Sequence, residues 1–243
     1  MGRLIGERRA IAAALLAMYG FLYLVVTLLL APEGWGLAFG SLAGIYGIGF
    51  VGLVAGYFWA RWFVIGLGLS GFMTGAISLF QMGAMEPTLV FYTCTHLAVT
   101  GLLWGNAMAR TFDGRKEWRE KFHLDESATN KLGKSVIRVG VSLPYVVLFA
   151  LAPREDAMLA LLGGTGVVAG AWALTKMRSW AIPAMGVGAL TMLAATINEP
   201  MLVPLKGDVA MNLDLVAVAA IGFTMMALAP FVSPIIKFLK SDT

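Results

Sequence analysis

AIAAALLAMYGFLYLVVTLLLA, residues Ala10–Ala31, is an apolar run without a charged side chain that directly follows Arg8 and Arg9. A transmembrane α-helix needs about 20 such residues to cross about 30 Å of hydrocarbon. The run exceeds the roughly 7–15 apolar residues of a secretory signal peptide, and no A-x-A cleavage site follows it. We therefore expect a retained first membrane helix with its N-terminus in the cytoplasm.

Seven further apolar runs follow, in a chain that is 59% hydrophobic with a mean hydropathy of +0.80. The predicted spans are Ala10–Ala31, Trp35–Ala60, Trp62–Gly83, Pro87–Ala109, Ser135–Ala152, Ala157–Thr175, Trp180–Ile197 and Leu213–Lys237. The last span ends either near Pro230, at a helix-breaking proline, or near Lys237. This pattern predicts an all-α membrane protein, a bundle of about eight transmembrane helices.

The basic residues separate by side of the membrane in this topology. Sixteen of the 18 Lys and Arg residues fall on one face, and only Arg154 and Lys206 fall on the other. The 14 acidic residues divide equally between the faces, so the bias is the one that the positive-inside rule describes. We expect both termini in the cytoplasm of a bacterial inner membrane, with an organelle membrane as the alternative. Anionic lipid accounts for the pI near 9.3, and no nucleic-acid partner is expected.

Matching landmarks suggest that the chain is an internal duplication. Leu-Ala-Pro occurs at residues 30–32 and again at 151–153, and Arg61 and Arg178 each precede the start of a predicted helix. Four helices return the chain to its starting side, so the two repeats would be parallel. The alternative is that Gly- and Ala-rich membrane helices resemble one another. The predicted division is a first four-helix repeat at residues 1–109, a cytoplasmic linker at 110–134 and a second four-helix repeat at 135–243.

The linker carries seven basic and five acidic residues. Its Trp118 and Phe122 are four residues apart, which places them on one side of a helix. Such a helix would lie in the lipid headgroups with its aromatic side chains inward. A solvated linker and a docking surface for a protein partner are the alternatives.

The second predicted helix carries glycines at four-residue spacing. They are Gly36, Gly40, Gly44, Gly52 and Gly56. Small residues let neighbouring helix backbones approach closely in a membrane. We interpret the stripe first as packing inside the protein and second as a homo-oligomer or subunit interface.

One ionisable side chain, His96, is predicted to lie deep in a span, within the polar stretch Tyr92–His96. If the two halves match, Asp214 falls opposite it, and Gln81 falls opposite Asn198. Titratable groups inside a membrane are candidates for function, so these four residues form a candidate polar or transport site. The alternative is a neutral histidine that a neighbouring hydroxyl satisfies, with Asp214 at the outer interface.

Motifs for catalysis or cofactor binding do not appear in the sequence. It contains no P-loop, GxSxG or HExxH pattern, and its lone cysteine, Cys94, excludes an intrachain disulfide. Methionines near Cys94 and His96 admit a Cu(I) site, but methionine is also an ordinary filler of apolar cores. We expect no enzyme activity, no cofactor and no metal.

Two functions lead from the sequence, and a membrane enzyme that uses His96 as a base or ligand is the third alternative. The first is a structural, accessory or interaction subunit of a larger membrane assembly, which contacts lipid and protein partners or further copies of itself. The second is a small transporter or channel for an uncharged solute or lipid. The two differ in whether the polar residues converge on a cavity that reaches the outer surface or fill a dry core.

Overall fold

Helices dominate the computed structural model, which describes the backbone at residues 4–82, 86–112, 126–198, 202–204 and 210–241. The helices are α1 (Ile5–Val25), α2 (Gly36–Ala55), α3 (Ala60–Met82), α4 (Pro87–Leu103), α5 (Asn106–Phe112), α6 (Glu126–Ala150), α7 (Met158–Thr175), α8 (Ala181–Asn198) and α9 (Leu213–Ser241). A π-helical segment, Val26–Leu30, extends α1. Strands β1 (Leu202–Pro204) and β2 (Ala210–Asn212) form an antiparallel pair that places Leu202 opposite Asn212.

Six helices among the described residues are long and apolar enough to cross a membrane. They are Ile5–Leu30, Gly36–Ala55, Ala60–Gln81, Ala128–Ala150, Met158–Thr175 and Leu215–Val232. Helices α4 and α5 together would make a seventh span, and Ala181–Ile197 is a shorter apolar helix. The chain is a multi-pass integral membrane protein whose apolar helices contact the lipid bilayer. The prediction of a helical membrane bundle is confirmed, whereas the number eight and the duplication stay predictions.

The fourth predicted span is broken rather than continuous. Helix α4 ends at Leu103, Gly105 has a φ of +107°, and α5 leaves at 73°. The carbonyl groups freed at this break accept hydrogen bonds from arginine. Arg8 Nη2 donates to the carbonyls of Gly101 (3.1 Å) and Trp104 (2.7 Å). These charged donors satisfy carbonyl groups that the break exposes. The positive charge also interacts favourably with the negative, C-terminal end of the α4 dipole.

The chain forms two compact units. The first contains Met1–Val25 and Leu42–Val141, and the second contains Val26–Ser41 and Ser142–Thr243. Helix α6 begins at Glu126, inside the predicted linker, and most of that linker, with Trp118 and Phe122, lies outside the described residues. The predicted three-part division of the chain is therefore not tested and stays a prediction.

Glycine-lined helix contacts hold each unit together. In the first unit a Cβ at Gly66 would lie 2.8 Å from Gly140 Cα and would overlap the carbonyl oxygen of Ile137. In the second unit a Cβ at Gly166 would lie 3.1 Å from Gly188 Cα. The backbones of α3 and α6, and those of α7 and α8, therefore touch where no side chain intervenes.

The connection from α7 to α8 is a Schellman turn built around a methionine. The N–H of Arg178 donates to Ala173 O and the N–H of Met177 donates to Leu174 O, both at 3.0 Å. Met177 occupies the left-handed position of this motif with a φ of 56°. Glycine usually takes that position because a Cβ there crowds the following carbonyl oxygen.

Replacing Met177 by glycine should stabilise the protein by about 0.5–1 kcal/mol. The gain is smaller than the full steric cost, since glycine also makes the unfolded chain more flexible. Denaturant unfolding in detergent measures the change, with Met225→Gly in α9 as the matched control. Met225 is an exposed helical residue, so its replacement should cost about 1 kcal/mol. A loss of stability in Met177→Gly would contradict the strain assigned to the turn.

Candidate functional site

Helix α4 carries the polar stretch that the sequence singles out. Its first turn is fixed by Glu86, whose carboxylate accepts a hydrogen bond from the N–H of Leu89 at 2.7 Å, with Pro87 at the first helical position. That N–H also holds the pKa of the Glu86 carboxyl below its ordinary value. Tyr92 and His96 are one helical turn apart, so both face the same side.

The imidazole of His96 is buried, with 1% of the residue exposed. Its Nδ1 lies 2.8 Å from the carbonyl oxygen of Tyr92 and its Nε2 lies 2.7 Å from the hydroxyl oxygen of Tyr46. Because a carbonyl can only accept, Nδ1–H is the donor, and a neutral ring then accepts at Nε2 from the Tyr46 hydroxyl. Both ring nitrogens of a neutral His96 are thus satisfied by protein groups.

Tyrosine rings surround this histidine. The ring centroid of His96 lies 4.2 Å from that of Tyr19, 4.1 Å from that of Tyr92 and 5.9 Å from that of Tyr46. The Tyr23 hydroxyl lies 3.3 Å from the Tyr92 hydroxyl. Four of the six tyrosines in the chain and His96 therefore form one group, here called the tyrosine–histidine cluster. It draws on α1, α2 and α4 within the first unit.

Helix α3 closes a further side of the cluster with glycine. A Cβ at Gly71 would overlap the imidazole carbon Cδ2 of His96, so the α3 backbone lies directly against the ring. One turn away, a Cβ at Gly68 would lie 2.9 Å from the carbonyl oxygen of His96. One turn from Gly71 in the other direction, a Cβ at Gly75 would lie 3.1 Å from Thr93 Cβ. The close approach of α3 to α4 thus encloses the histidine.

The remaining hydroxyls of the cluster also have partners. Thr95 donates to the carbonyl oxygen of Phe91 at 2.7 Å, so its oxygen accepts from the Tyr19 hydroxyl. Short local bonds of this kind satisfy a threonine inside a helix. A substrate would have to displace ring contacts or backbone bonds to reach His96. The arrangement is suited to holding helices together.

Of the other candidate polar residues, the structure describes the side chain of Gln81 alone. Gln81 lies at the far end of α3 and is exposed. Asn198 ends α8 and Asp214 is the second residue of α9, and the side chains of both lie outside the described residues. A convergence of these residues with His96 therefore stays a prediction.

The glycines of the predicted stripe do not all lie on one face of α2. Gly52 and Gly56 are buried, Gly44 is exposed, and Gly36 and Gly40 are half-buried. A Cβ at Gly52 would lie 3.0 Å from the ring of Trp59, whereas Cβ atoms at Gly36 and Gly44 would meet nothing within 4 Å. Gly56 has a φ of +72° just beyond the end of α2. The stripe thus serves internal packing at one end of the helix and faces open space at Gly44.

Sequence reasoning found His96 but missed its partners. Tyr19 and Tyr23 are four residues apart on α1, the same spacing as Tyr92 and His96 on α4. Two such pairs in spans with few polar residues are the signal that could have joined them. Tyr46 stands alone in α2 and carries no comparable pattern.

No protein-family model, curated protein sequence or solved structure matches this chain. Within the part of the chain that the structure describes, no group of three or more His, Cys, Asp or Glu side chains is placed to hold a metal ion.

Proposed function

We propose that the protein is a structural or accessory subunit of a larger membrane assembly. The observation that carries this proposal is the closure of the tyrosine–histidine cluster. His96 is the residue that would most directly serve transport or catalysis. Both of its ring nitrogens are hydrogen-bonded, one to the Tyr46 hydroxyl and one to the α4 backbone. A buried polar network with its partners satisfied gives a membrane bundle a fixed geometry, which suits a protein that presents a surface.

The outward face of α2 supplies a surface for such an interaction. Ile48 and Val51 are exposed on it, and Gly44 lies beside them with open space above its Cα. A transmembrane helix of a partner subunit could approach the α2 backbone closely at Gly44, because a glycine presents no side chain there. We propose that this face, called here the Gly44 face, contacts a helix of the assembly.

Gly44→Leu should release the partner without unfolding the chain. The added side chain enters open space in the isolated protein, so the melting temperature should not fall, but it would block a backbone contact of another helix. Co-purification from native membranes with wild-type and variant chains measures the retained partner, with an expected loss of tenfold or more.

Gly222→Leu is the matched control for this experiment. Gly222 lies within α9, and a Cβ there also meets nothing within 4 Å. The control should retain the partner at the wild-type level. Retention by Gly44→Leu as well would contradict the assignment of the interface to the Gly44 face.

A transporter or channel for an uncharged solute or lipid is the second candidate. The break between α4 and α5 favours it, since interrupted membrane helices often line transport sites. In this alternative His96, Gln81, Asn198 and Asp214 form the path. Uptake of solute by reconstituted vesicles would then be lost in His96→Ala, whereas a subunit without transport activity would show no uptake to lose.

We infer a topology of eight crossings in two parallel repeats, with both termini on the cytoplasmic side of a bacterial inner membrane. The asymmetry of Lys and Arg supports this orientation. An enzyme reporter that is active only outside the cytoplasm tests it when fused after Thr243. Inactivity is expected, and activity would reverse the orientation.

A further inference from the structure

The turn between α7 and α8 exposes two cations and two indole rings together. Lys176 and Arg178 are exposed, and so are Trp172 and Trp180 on either side of them. The Lys176 ammonium nitrogen lies 4.9 Å from the centroid of the Trp172 ring. The backbone bonds of the Schellman turn fix the spacing between these side chains.

An arginine and a tryptophan in the first turn of α3, in the first unit, are placed differently. There Arg61 Nη1 donates to the Leu103 carbonyl oxygen at 3.4 Å, and Trp62 is only 5% exposed. Trp62 packs against α6, where a Cβ at Gly133 would lie 2.8 Å from its ring. Arg61 and Trp62 thus contact other helices of the first unit. In the second unit, by contrast, 49% of the Trp180 surface is exposed.

The nearby arginines of the first unit are also committed to its backbone. Arg8 caps the end of α4, and Arg9 donates to the carbonyls of Leu53 at 2.8 Å and Val54 at 2.7 Å at the end of α2. Among the described residues, the side chains of Lys176 and Arg178 make no such carbonyl bonds. Their charge is therefore available to an anion outside the protein.

The position of the turn along α7 fixes the depth at which that anion would bind. Helix α7 has 18 residues, which span about 27 Å at 1.5 Å per residue, close to the thickness of the hydrocarbon core. Lys176 follows directly, so it lies at the level of the headgroups. Trp172 and Trp180 then lie in the interfacial zone that indole rings prefer.

We propose that the α7–α8 turn, residues Trp172–Trp180, is a binding site for the headgroup of an anionic phospholipid. Lys176 and Arg178 bind the headgroup phosphate, and the two tryptophans pack beside the glycerol and the upper acyl chains. The arginine fork matches phosphate oxygens, while the lysine adds a mobile point charge. This site depends on the chain lying in a membrane and not on the proposed subunit role.

Lipid titration of the purified full chain tests the site. The delipidated protein in neutral detergent is titrated with phosphatidylglycerol or phosphatidylcholine, and bound lipid is counted by native mass spectrometry. We expect the wild type to prefer phosphatidylglycerol. The variant Lys176→Gln/Arg178→Gln should bind it roughly 30-fold more weakly, because each cation near an anionic lipid surface contributes roughly fivefold in affinity.

Lys131→Gln/Lys134→Gln is the matched control, because it removes two exposed cations from α6 without touching the turn. It should bind phosphatidylglycerol within about twofold of the wild type, because Trp172, Lys176, Arg178 and Trp180 are unchanged in it. Circular dichroism checks that both variants fold. Equal weakening in both variants, equal binding of the two lipids by the wild type, or displacement of the lipid by equimolar inorganic phosphate would each overturn the proposal.

Discussion

Gly66→Ala is expected to destabilise the first unit by about 3 kcal/mol. The new methyl group would overlap the carbonyl oxygen of Ile137 and would lie 2.8 Å from Gly140 Cα. These are backbone atoms of α6, which cannot rotate away as the end of a flexible side chain can. Helices α3 and α6 would have to separate, and overpacking that moves backbone reaches this magnitude.

Gly44→Ala is the control for Gly66, because it makes the same chemical change on a neighbouring helix. A Cβ at Gly44 meets nothing within 4 Å, so the substitution should leave stability unchanged or raise it by up to about 1 kcal/mol through helix propensity. Unfolding of both variants in detergent with increasing denaturant gives the two free energies. Equal stability of Gly66→Ala and Gly44→Ala would show that the α3–α6 contact is wrong.

His96→Ala should cost about 3–5 kcal/mol of unfolding free energy. The substitution removes a buried ring that touches Tyr19, Tyr46 and Tyr92, and losses of buried rings fall in this range. It also removes the hydrogen bond between the His96 ring and the Tyr46 hydroxyl, which adds to the loss.

A conservative pair of tyrosine variants separates the hydrogen bond from the packing of the ring. Tyr46→Phe keeps the ring but removes the donor to His96 Nε2, and should cost about 1–3 kcal/mol. Tyr57→Phe removes a hydroxyl from an exposed tyrosine and should change stability by less than about 0.5 kcal/mol. If Tyr46→Phe were as stable as Tyr57→Phe, the bond to His96 would contribute nothing to the fold.

The position of the helices in the second unit could largely be predicted from the sequence. The spans expected at residues 157–175 and 180–197 differ by one residue at most from α7 and α8. Charged or polar residues bound both runs closely, so hydropathy and helix length agree there. Helix α6 begins at Glu126, nine residues before the predicted start, because a helix can continue past the hydrocarbon and carry its charges outside.

The break between α4 and α5 could not be predicted from hydropathy. Apart from Asn106, the residues within four positions of Gly105 are apolar or small, and Arg8 from a different helix satisfies carbonyl groups at the break. Helix geometry explains why the glycine stripe of α2 packs inside the protein at one end of the helix and faces open space at Gly44. A four-residue step on a helix of 3.6 residues per turn drifts by about 40° around the axis, so Gly36 and Gly52 of α2 lie roughly 160° apart.

Of the tyrosine–histidine cluster, His96 could be predicted from the sequence but its tyrosine partners could not. The rarity of ionisable residues in the predicted spans pointed to His96, and the alternative of a neutral histidine bonded to a hydroxyl is the arrangement that the structure describes. Which hydroxyl it would be depends on how α1, α2 and α4 pack together. Packing partners from distant parts of a chain leave no periodic pattern, as Tyr46 illustrates.

The native mass of the protein, extracted from its own membranes with a gentle detergent, tests the proposed role as a subunit most directly. The proposal predicts a complex of fixed mass that contains other chains in constant stoichiometry with this 25.9 kDa chain. Gly44→Leu should reduce that complex to the lone chain. Recovery of only a monomer, or of multiples of 25.9 kDa, would contradict the proposal that the protein is a subunit of a larger assembly.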